Sequence, residues 1–169
     1  MICKNFKDKE KMRKAGRSAA TILDRLCSVV KPGMNTFEID EIGGELMETM
    51  GVKSACKGYR SGHRIFPSYT CLSVNDEVVH GIGVKGRVLN EGDIISVDVC
   101  IRENGFIGDN CRTIPVGNVS PEIEKLLRVT EESLFLGICQ ATHKNRVGDV
   151  SEAVQSCVED AGFAVITNF

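Results

Sequence analysis

The chain has 169 residues and a formal net charge of −2, with 42% hydrophobic and 26% charged residues. This composition is typical of a folded domain and excludes a disordered chain. The balanced charge gives no reason to expect a specific nucleic-acid partner, and no apolar run approaches the roughly 18 residues of a membrane span. No Cys-x-x-Cys pair occurs among the eight cysteines, so we expect reduced thiols and a cytoplasmic protein rather than a zinc finger.

Two helices are predicted in the first fifty residues. Over residues 8–30 apolar side chains recur at steps of three and four, and Lys31-Pro32-Gly33 then ends the helix. Asn35, with Glu38 three residues later, has the pattern of a capping box that opens a second helix. Residues 52–68 show no period and are predicted as a loop, and a strand is predicted over residues 69–79.

The clearest local pattern is a β-hairpin. Residues 93–101 alternate with period two, Asn104-Gly105 is a preferred two-residue turn, and the return strand covers residues 106–116. This turn sets a register in which Asp98 and Asp109 are diagonal neighbours on one face of the hairpin. The opposite face then carries the apolar residues Ile95, Val97, Val99 and Ile101.

Two carboxylates at this separation repel each other unless a cation lies between them. A divalent ion would resolve the repulsion and supply chemistry, whereas a solvated polar face with Arg112 nearby is the simpler alternative. Of the three histidines, His63 and His143 are expected to be exposed. His80 follows a predicted strand and precedes a glycine, which is a common place for a site residue.

The second part of the chain repeats the order of the first. A helix is predicted from the cap at Ser120, another over residues 148–161, and a strand over residues 163–169. Gly51-Val52 lies 111 residues before Gly162-Phe163, and the two second helices place their apolar residues in step. We therefore expect two related halves of one domain, residues 1–117 forming the first and residues 118–169 beginning the second.

Several stretches together resemble the type I methionine aminopeptidases. They are residues 75–82, 92–98 and 105–109, and the upstream residues 31–33, 54–59, 66–67 and 71–75 agree in order and spacing. The resemblance covers nearly the whole chain. It implies an α/β (α+β) pita-bread fold, in which two pseudo-symmetric halves surround a curved antiparallel sheet, with the second half incomplete.

The resemblance also implies a site. Asp98 and Asp109 would be two of five ligands to two divalent metal ions, which could be cobalt, manganese, iron or zinc. His80 would contact the substrate and assist attack on its first peptide carbonyl. The pocket for the methionine side chain would be lined by Cys56, Tyr59, Phe66 and Cys71. The implied function is hydrolytic removal of the initiator methionine from nascent polypeptides, near the ribosome and by a monomer.

Two alternatives stay open. The chain could be a non-catalytic pita-bread binding module, although Asp98, Asp109 and His80 argue against this, or a relative of creatinase and prolidase. The resemblance also implies three further ligands, one His and two Glu, after a Gly-His-Gly motif that would follow residue 169. We therefore expect the chain to be incomplete and inactive alone. Residues 60–65 are longer than is usual in the family, so a different pocket lip is expected.

Overall fold

A computed structural model of the protein describes residues 3–167, and the chain divides into two compact units, Met1–Val119 and Ser120–Phe169. The assignment of these units to two halves of one domain stays a prediction. Within the described residues, no helix is both long enough and apolar enough to cross a lipid bilayer.

The first unit begins with the two predicted helices. Helix α1 (Phe6–Val29) buries one apolar face against the sheet, and helix α2 (Thr36–Thr49) follows after a short turn. The capping box is confirmed, since the Asn35 side chain accepts from the Glu38 N–H and the Glu38 carboxylate accepts from the Asn35 N–H. These bonds satisfy amide donors that a helix start would otherwise leave without partners.

Short strands lie where a loop was predicted. Residues 52–68 contain β1 (Lys53–Ser54) and a small hairpin of β2 (Arg60–Ser61) and β3 (Arg64–Ile65). These segments are too short to show a period in the sequence, so the prediction of an irregular loop was wrong there.

The next strand, β4 (Cys71–Val74), is shorter than the predicted strand over residues 69–79. It ends because Asn75 takes a left-handed conformation with φ of 55°. The Asn75 side chain then accepts from the Ile94 N–H at 3.0 Å and donates to Asp93 at 2.9 Å. Asn is one of the few residues that takes this conformation readily, so the strand has a local reason to stop.

The long hairpin is confirmed with the predicted register. Strand β5 (Ile94–Glu103) pairs with β6 (Phe106–Pro115), and Asp98 lies opposite Cys111. Strands β1 and β4 pair with successive parts of β5, which completes a four-stranded antiparallel sheet. The four predicted apolar residues of β5 are fully buried and belong to the core: Ile95, Val97, Val99 and Ile101.

Helix α1 approaches the sheet closely at Gly108. A Cβ atom at this position would lie 2.1 Å from the Ala15 carbonyl oxygen, so only glycine fits. The next residue of the strand is Asp109, whose side chain points to the other face. The packing of α1 on Gly108 therefore fixes the strand that carries Asp109.

The second unit contains helices α3 (Pro121–Gln140) and α4 (Val147–Asp160), which pack on each other. Gly137 allows this contact, since a Cβ atom there would lie 2.9 Å from a methyl group of Val154. The predicted strand over residues 163–169 is wrong for residues 163–167, and residues 168–169 lie outside the described residues. A strand forms by pairing with a neighbour, and residues 163–167 have none within the described part of the chain.

Candidate active site

The polar face of the β5–β6 hairpin brings the two predicted carboxylates together. Strand register places Asp98 opposite Cys111 and Asp109 opposite Cys100, so that both aspartates lie on one face. The same face carries Ser96 and Thr113, whose hydroxyl oxygens are 2.7 Å apart. Here the structure agrees with the register that the sequence predicts.

Asp98 is in an unfavourable environment for a charged group. Its Oδ1 atom is buried and has no hydrogen-bond partner among the described residues. Burial raises the pKa of the Asp98 carboxyl, the neighbouring Asp109 carboxyl raises it further, and the nearby His80 lowers it. A buried carboxylate beside a second carboxylate is a feature of sites that bind a cation.

The two aspartates fit a divalent metal in part. A cation between them would remove the repulsion and give Oδ1 of Asp98 the partner that it lacks. Within residues 3–167, however, no group of three or more His, Cys, Asp or Glu side chains is arranged to hold a metal ion. The described residues therefore supply two carboxylate ligands and not a complete coordination shell.

Four cysteines surround the carboxylates. Burial, together with Asp109, raises the pKa of Cys100 to about 12, and burial, together with Asp98 and Asp109, raises that of Cys111 to about 11. A hydrogen bond between the thiols of Cys71 and Cys56 lowers the pKa of Cys56, and the same bond, with burial, raises that of Cys71. Cys100 and Cys111 are thus neutral thiols at pH 7, so neither adds a negative charge beside the carboxylates.

His80 is held near Asp98 by a close backbone approach. The residue after it, Gly81, accepts from the Leu72 N–H at 2.9 Å and donates to the Ser73 hydroxyl at 3.1 Å. A Cβ atom at Gly81 would lie 2.1 Å from the Leu72 carbonyl oxygen, so a larger residue would push this segment away from β4.

The backbone of His80 is itself in an uncommon conformation. Its φ is 60°, in the left-handed region that non-glycine residues seldom occupy, and its side chain is exposed. Such conformations cluster at functional sites, where the surrounding structure holds them in place. In this chain the contacts of Gly81 with β4 supply that restraint.

Of the four predicted pocket residues, the structure brings two to the carboxylates. Cys71 lies opposite Asp98 in the sheet, and its thiol contacts that of Cys56. Tyr59 and Phe66 lie in the neighbouring β2–β3 segment, which is tied to Cys56 by the bond from the Tyr59 N–H to the Cys56 carbonyl oxygen at 2.9 Å. Tyr59 is 66% exposed, so the lining of a pocket by Tyr59 and Phe66 stays a prediction.

One residue that positions this site was not predicted. Asp40 on α2 is buried and accepts hydrogen bonds from the Tyr69 N–H, the Thr70 N–H and the Thr70 hydroxyl at 2.8–3.0 Å. These bonds anchor the start of β4, one residue before Cys71. Asp40 lies between the buried residues Thr36 and Gly43 at helical spacing, and this was the signal that could have identified it.

Comparisons with known proteins show which family the chain belongs to. The profile of Metallopeptidase family M24 matches residues 10–169. The chain belongs to this family. Methionine aminopeptidase 1 of Bacillus subtilis is 41% identical over 169 residues, and the methionine aminopeptidase of Escherichia coli is 36% identical over 167 residues. The chain is covered to 100% and 98% in these matches but spans only 66% and 62% of the two relatives.

Solved structures of the family confirm the pita-bread fold. The methionine aminopeptidase of Thermotoga maritima superposes with a TM-score of 0.93 at 39% identity, covering all of this chain and 67% of that one. The prolidase of Pyrococcus furiosus superposes with a TM-score of 0.79 at 16% identity, covering 95% of this chain and 45% of that one. The second match shows a shared fold alone.

Proposed function

We propose that the whole protein is a metal-dependent aminopeptidase that removes the initiator methionine from newly made polypeptides. The observation that carries the proposal is the pair Asp98 and Asp109 on one sheet face, with a buried Oδ1 that lacks a partner. Methionine aminopeptidases at 36–41% identity support this reading over a creatinase or prolidase relative, since the prolidase match is 16% identical. Its setting would be the cytoplasm, near the ribosome and as a monomer.

Asp98 and Asp109 would hold two divalent ions together with ligands outside the described residues. The chemistry that such ions supply is polarisation of the peptide carbonyl and activation of water. Manganese, iron, cobalt and zinc all bind at sites made of His and carboxylate ligands, so any of these ions would suit the site. The retained pair also argues against a non-catalytic binding module, which would have no need of a carboxylate with a buried, unpartnered oxygen.

His80 would act on the substrate rather than on the metal. Its exposed imidazole lies close enough to Asp98 to shift the pKa of that carboxyl, and it would donate a hydrogen bond to the substrate near the first peptide bond. Cys56, Cys71, Tyr59 and Phe66 would contact the methionine side chain, for which sulfur and aromatic groups are suitable neighbours.

The test is release of free methionine from a Met-Ala-Ser peptide by the whole protein supplied with Mn²⁺ or Co²⁺. We expect Asp98→Ala and Asp109→Ala to abolish release. His80→Ala should lower kcat by about 100-fold or more while metal binding is retained, as for loss of a residue that assists proton transfer or orients the carbonyl. The control is Asp24→Ala, which removes an exposed aspartate on the α1 side of the sheet. Full activity of Asp98→Ala or of Asp109→Ala would contradict the assignment of these aspartates as metal ligands.

A further inference from the structure

The Ser54 hydroxyl joins two segments of the first unit that no strand ladder joins. Ser54 ends β1, and its Oγ donates to the Tyr69 carbonyl oxygen at 2.7 Å, two residues before β4 begins. The same oxygen accepts from the Cys56 N–H at 3.1 Å and from the Lys57 N–H at 2.9 Å. One hydroxyl thus makes three hydrogen bonds, two of them in the kind of turn that serine forms with nearby backbone amides.

The strand pairing shows why these bonds are needed. Strands β1 and β4 pair with successive parts of β5, so they lie end to end along one edge of it and do not pair with each other. The ladder of β1 continues for one residue, since the Ala55 N–H donates to the Cys100 carbonyl oxygen at 2.9 Å. The chain then leaves β5, and the next two amides bond to Ser54 instead. The position of Cys56 therefore depends on the Ser54 hydroxyl.

Tyr69 is a firm support for this attachment. Its N–H donates to the Asp40 carboxylate at 3.0 Å. Its ring lies against α2, where a Cβ atom at Gly44 would be only 2.7 Å from a ring carbon. The Lys57 ammonium lies 3.3 Å from the centre of the same ring, at the distance of a cation–π interaction. The amide, the ring and, through Ser54, the carbonyl of Tyr69 are therefore all restrained.

Packing does less to fix the segment after β1. A cavity of about 630 Å³ lies beside it, with walls that include Ser54, Lys57 and Tyr69. The other walls are residues of α2 and of the chain leading into β1. Because a cavity lies there instead of packed side chains, the segment has room to shift when a hydrogen bond is lost.

The segment that Ser54 holds carries one wall of the proposed methionine pocket. Its first residue is Cys56, whose thiol contacts that of Cys71. Cys71 lies opposite Asp98 in the sheet. Strand pairing thus fixes Cys71 beside the carboxylate, whereas the hydrogen bonds of Ser54 fix Cys56 beside Cys71.

We propose that Ser54 is a positioning residue that sets the width of the pocket for the first side chain of the substrate, and thereby the preference for methionine. The proposal rests on the proposed function, since it assumes that Cys56 and Cys71 contact that side chain. Without the hydroxyl, two amides lose their acceptor and the Tyr69 carbonyl loses its donor, so Cys56 can move away from Cys71. A wider pocket admits branched side chains that the native pocket rejects.

The test measures kcat/KM of the whole protein, supplied with Mn²⁺, for Met-Ala-Ser and for Leu-Ala-Ser, and takes the ratio of the two values. Ser54→Ala should lower this ratio about 10-fold, the order of discrimination that one methylene group gives in an apolar pocket. Partial unfolding reduces the concentration of active protein for both peptides alike, so a purely structural role leaves the ratio unchanged. Ser54→Thr keeps a hydroxyl and should keep most of the preference.

Ser18→Ala is the matched control. Ser18 donates a hydroxyl hydrogen bond of similar length, 2.8 Å, to Glu103 on the side of the sheet toward α1, so its loss should leave the ratio unchanged. A second measurement needs no activity. Amide hydrogen exchange, followed by NMR in EDTA, should be about 10-fold faster at Cys56 and Lys57 in Ser54→Ala but not in the control, because these amides lose their acceptor.

The possible failures have different meanings. If Ser54→Ala does not speed exchange at Cys56 and Lys57, Ser54 does not hold the segment and the inference is wrong. If exchange is faster but the ratio is unchanged, which includes no detectable release from the leucyl peptide by either protein, Ser54 has no role in specificity while the proposed function stands. If the wild type releases methionine from no peptide, the proposed function fails and the inference fails with it.

Discussion

Two carboxylates of strand β5 lie on opposite faces of the sheet and differ in their hydrogen-bond partners and in the direction of their pKa shifts. Glu103 points toward α1, where its oxygens accept from the Ser18 hydroxyl at 2.8 Å and from the Lys14 ammonium at 2.7 Å. The hydrogen bond from Lys14 lowers the pKa of Glu103. Asp98 points to the other face, has a buried oxygen without a partner, and its pKa is raised by burial and by Asp109.

This difference assigns a structural role to one face of the sheet and a functional role to the other. On the face toward α1, every apolar residue of β5 is buried and the one carboxylate has partners, so this face stabilises the fold. On the polar face, a carboxylate is left unsatisfied at a cost to stability, which natural proteins tolerate chiefly at binding and catalytic sites. Each face can be tested by substitutions in neighbouring residues of the same strand.

The largest effect is expected from the face toward α1. Ile101→Ala removes a fully buried side chain from the core and should lower the free energy of unfolding by about 3 kcal/mol. Cys100→Ala, the adjacent residue on the polar face, should cost less than about 1 kcal/mol. Urea unfolding followed by circular dichroism measures both. Equal losses would show that the two faces do not differ in their contribution to stability.

Glu103→Gln should lower the free energy of unfolding by less, about 1 kcal/mol at pH 7. The effect is small because Lys14 is largely exposed and water screens the ion pair. The lowered pKa of Glu103 means that its contribution is present above the ordinary carboxyl pKa of about 4.3 and is lost as the pH falls through the lowered value. The wild type should therefore lose its advantage over the variant as the pH falls below the ordinary carboxyl value and through the lowered one. An advantage that is the same at neutral pH and in acid would contradict the ion-pair assignment.

An effect of similar size is expected at Asp98, but with the opposite sign. Asp98→Asn, measured in EDTA at pH 7, should raise the free energy of unfolding by about 1 kcal/mol, because it removes a buried charge and its repulsion with Asp109. Asp24→Asn, at an exposed ion pair, should change stability by less than about 0.5 kcal/mol. If Asp98→Asn lowered the free energy of unfolding as much as Glu103→Gln does, the carboxylates on both faces would stabilise the fold.

The features that could be predicted from the sequence depend on the period of the apolar residues and on the residues that form turns and caps. The alternation over β5 and the Asn104-Gly105 turn predict the register that brings Asp98 to Asp109, and this register is confirmed. The cap at Asn35 and the two helices that flank it are likewise local features. The fold class required the resemblance of several motifs in order, since no single motif specifies it.

Long-range contacts account for what could not be predicted. Asp40 is separated by about thirty residues from the amides that it binds, and the approach of Gly81 to Leu72 depends on the path of an irregular segment. Strands of two residues, such as β1, are defined by pairing with β5 and leave no period of their own. The predicted strand failed over residues 163–167 for the same reason, because alternation alone provides no partner.

The central claim is that the polar face of β5 and β6 binds a divalent metal through Asp98 and Asp109. The most direct test is the free energy of unfolding of the wild type and of Asp98→Asn, each measured in EDTA and in 1 mM MnCl₂. A ligand that binds only the folded state stabilises it, so Mn²⁺ should stabilise the wild type and leave Asp98→Asn unchanged, reversing the order of stability found in EDTA. Equal stabilisation of both proteins by Mn²⁺, or of neither, would contradict the claim.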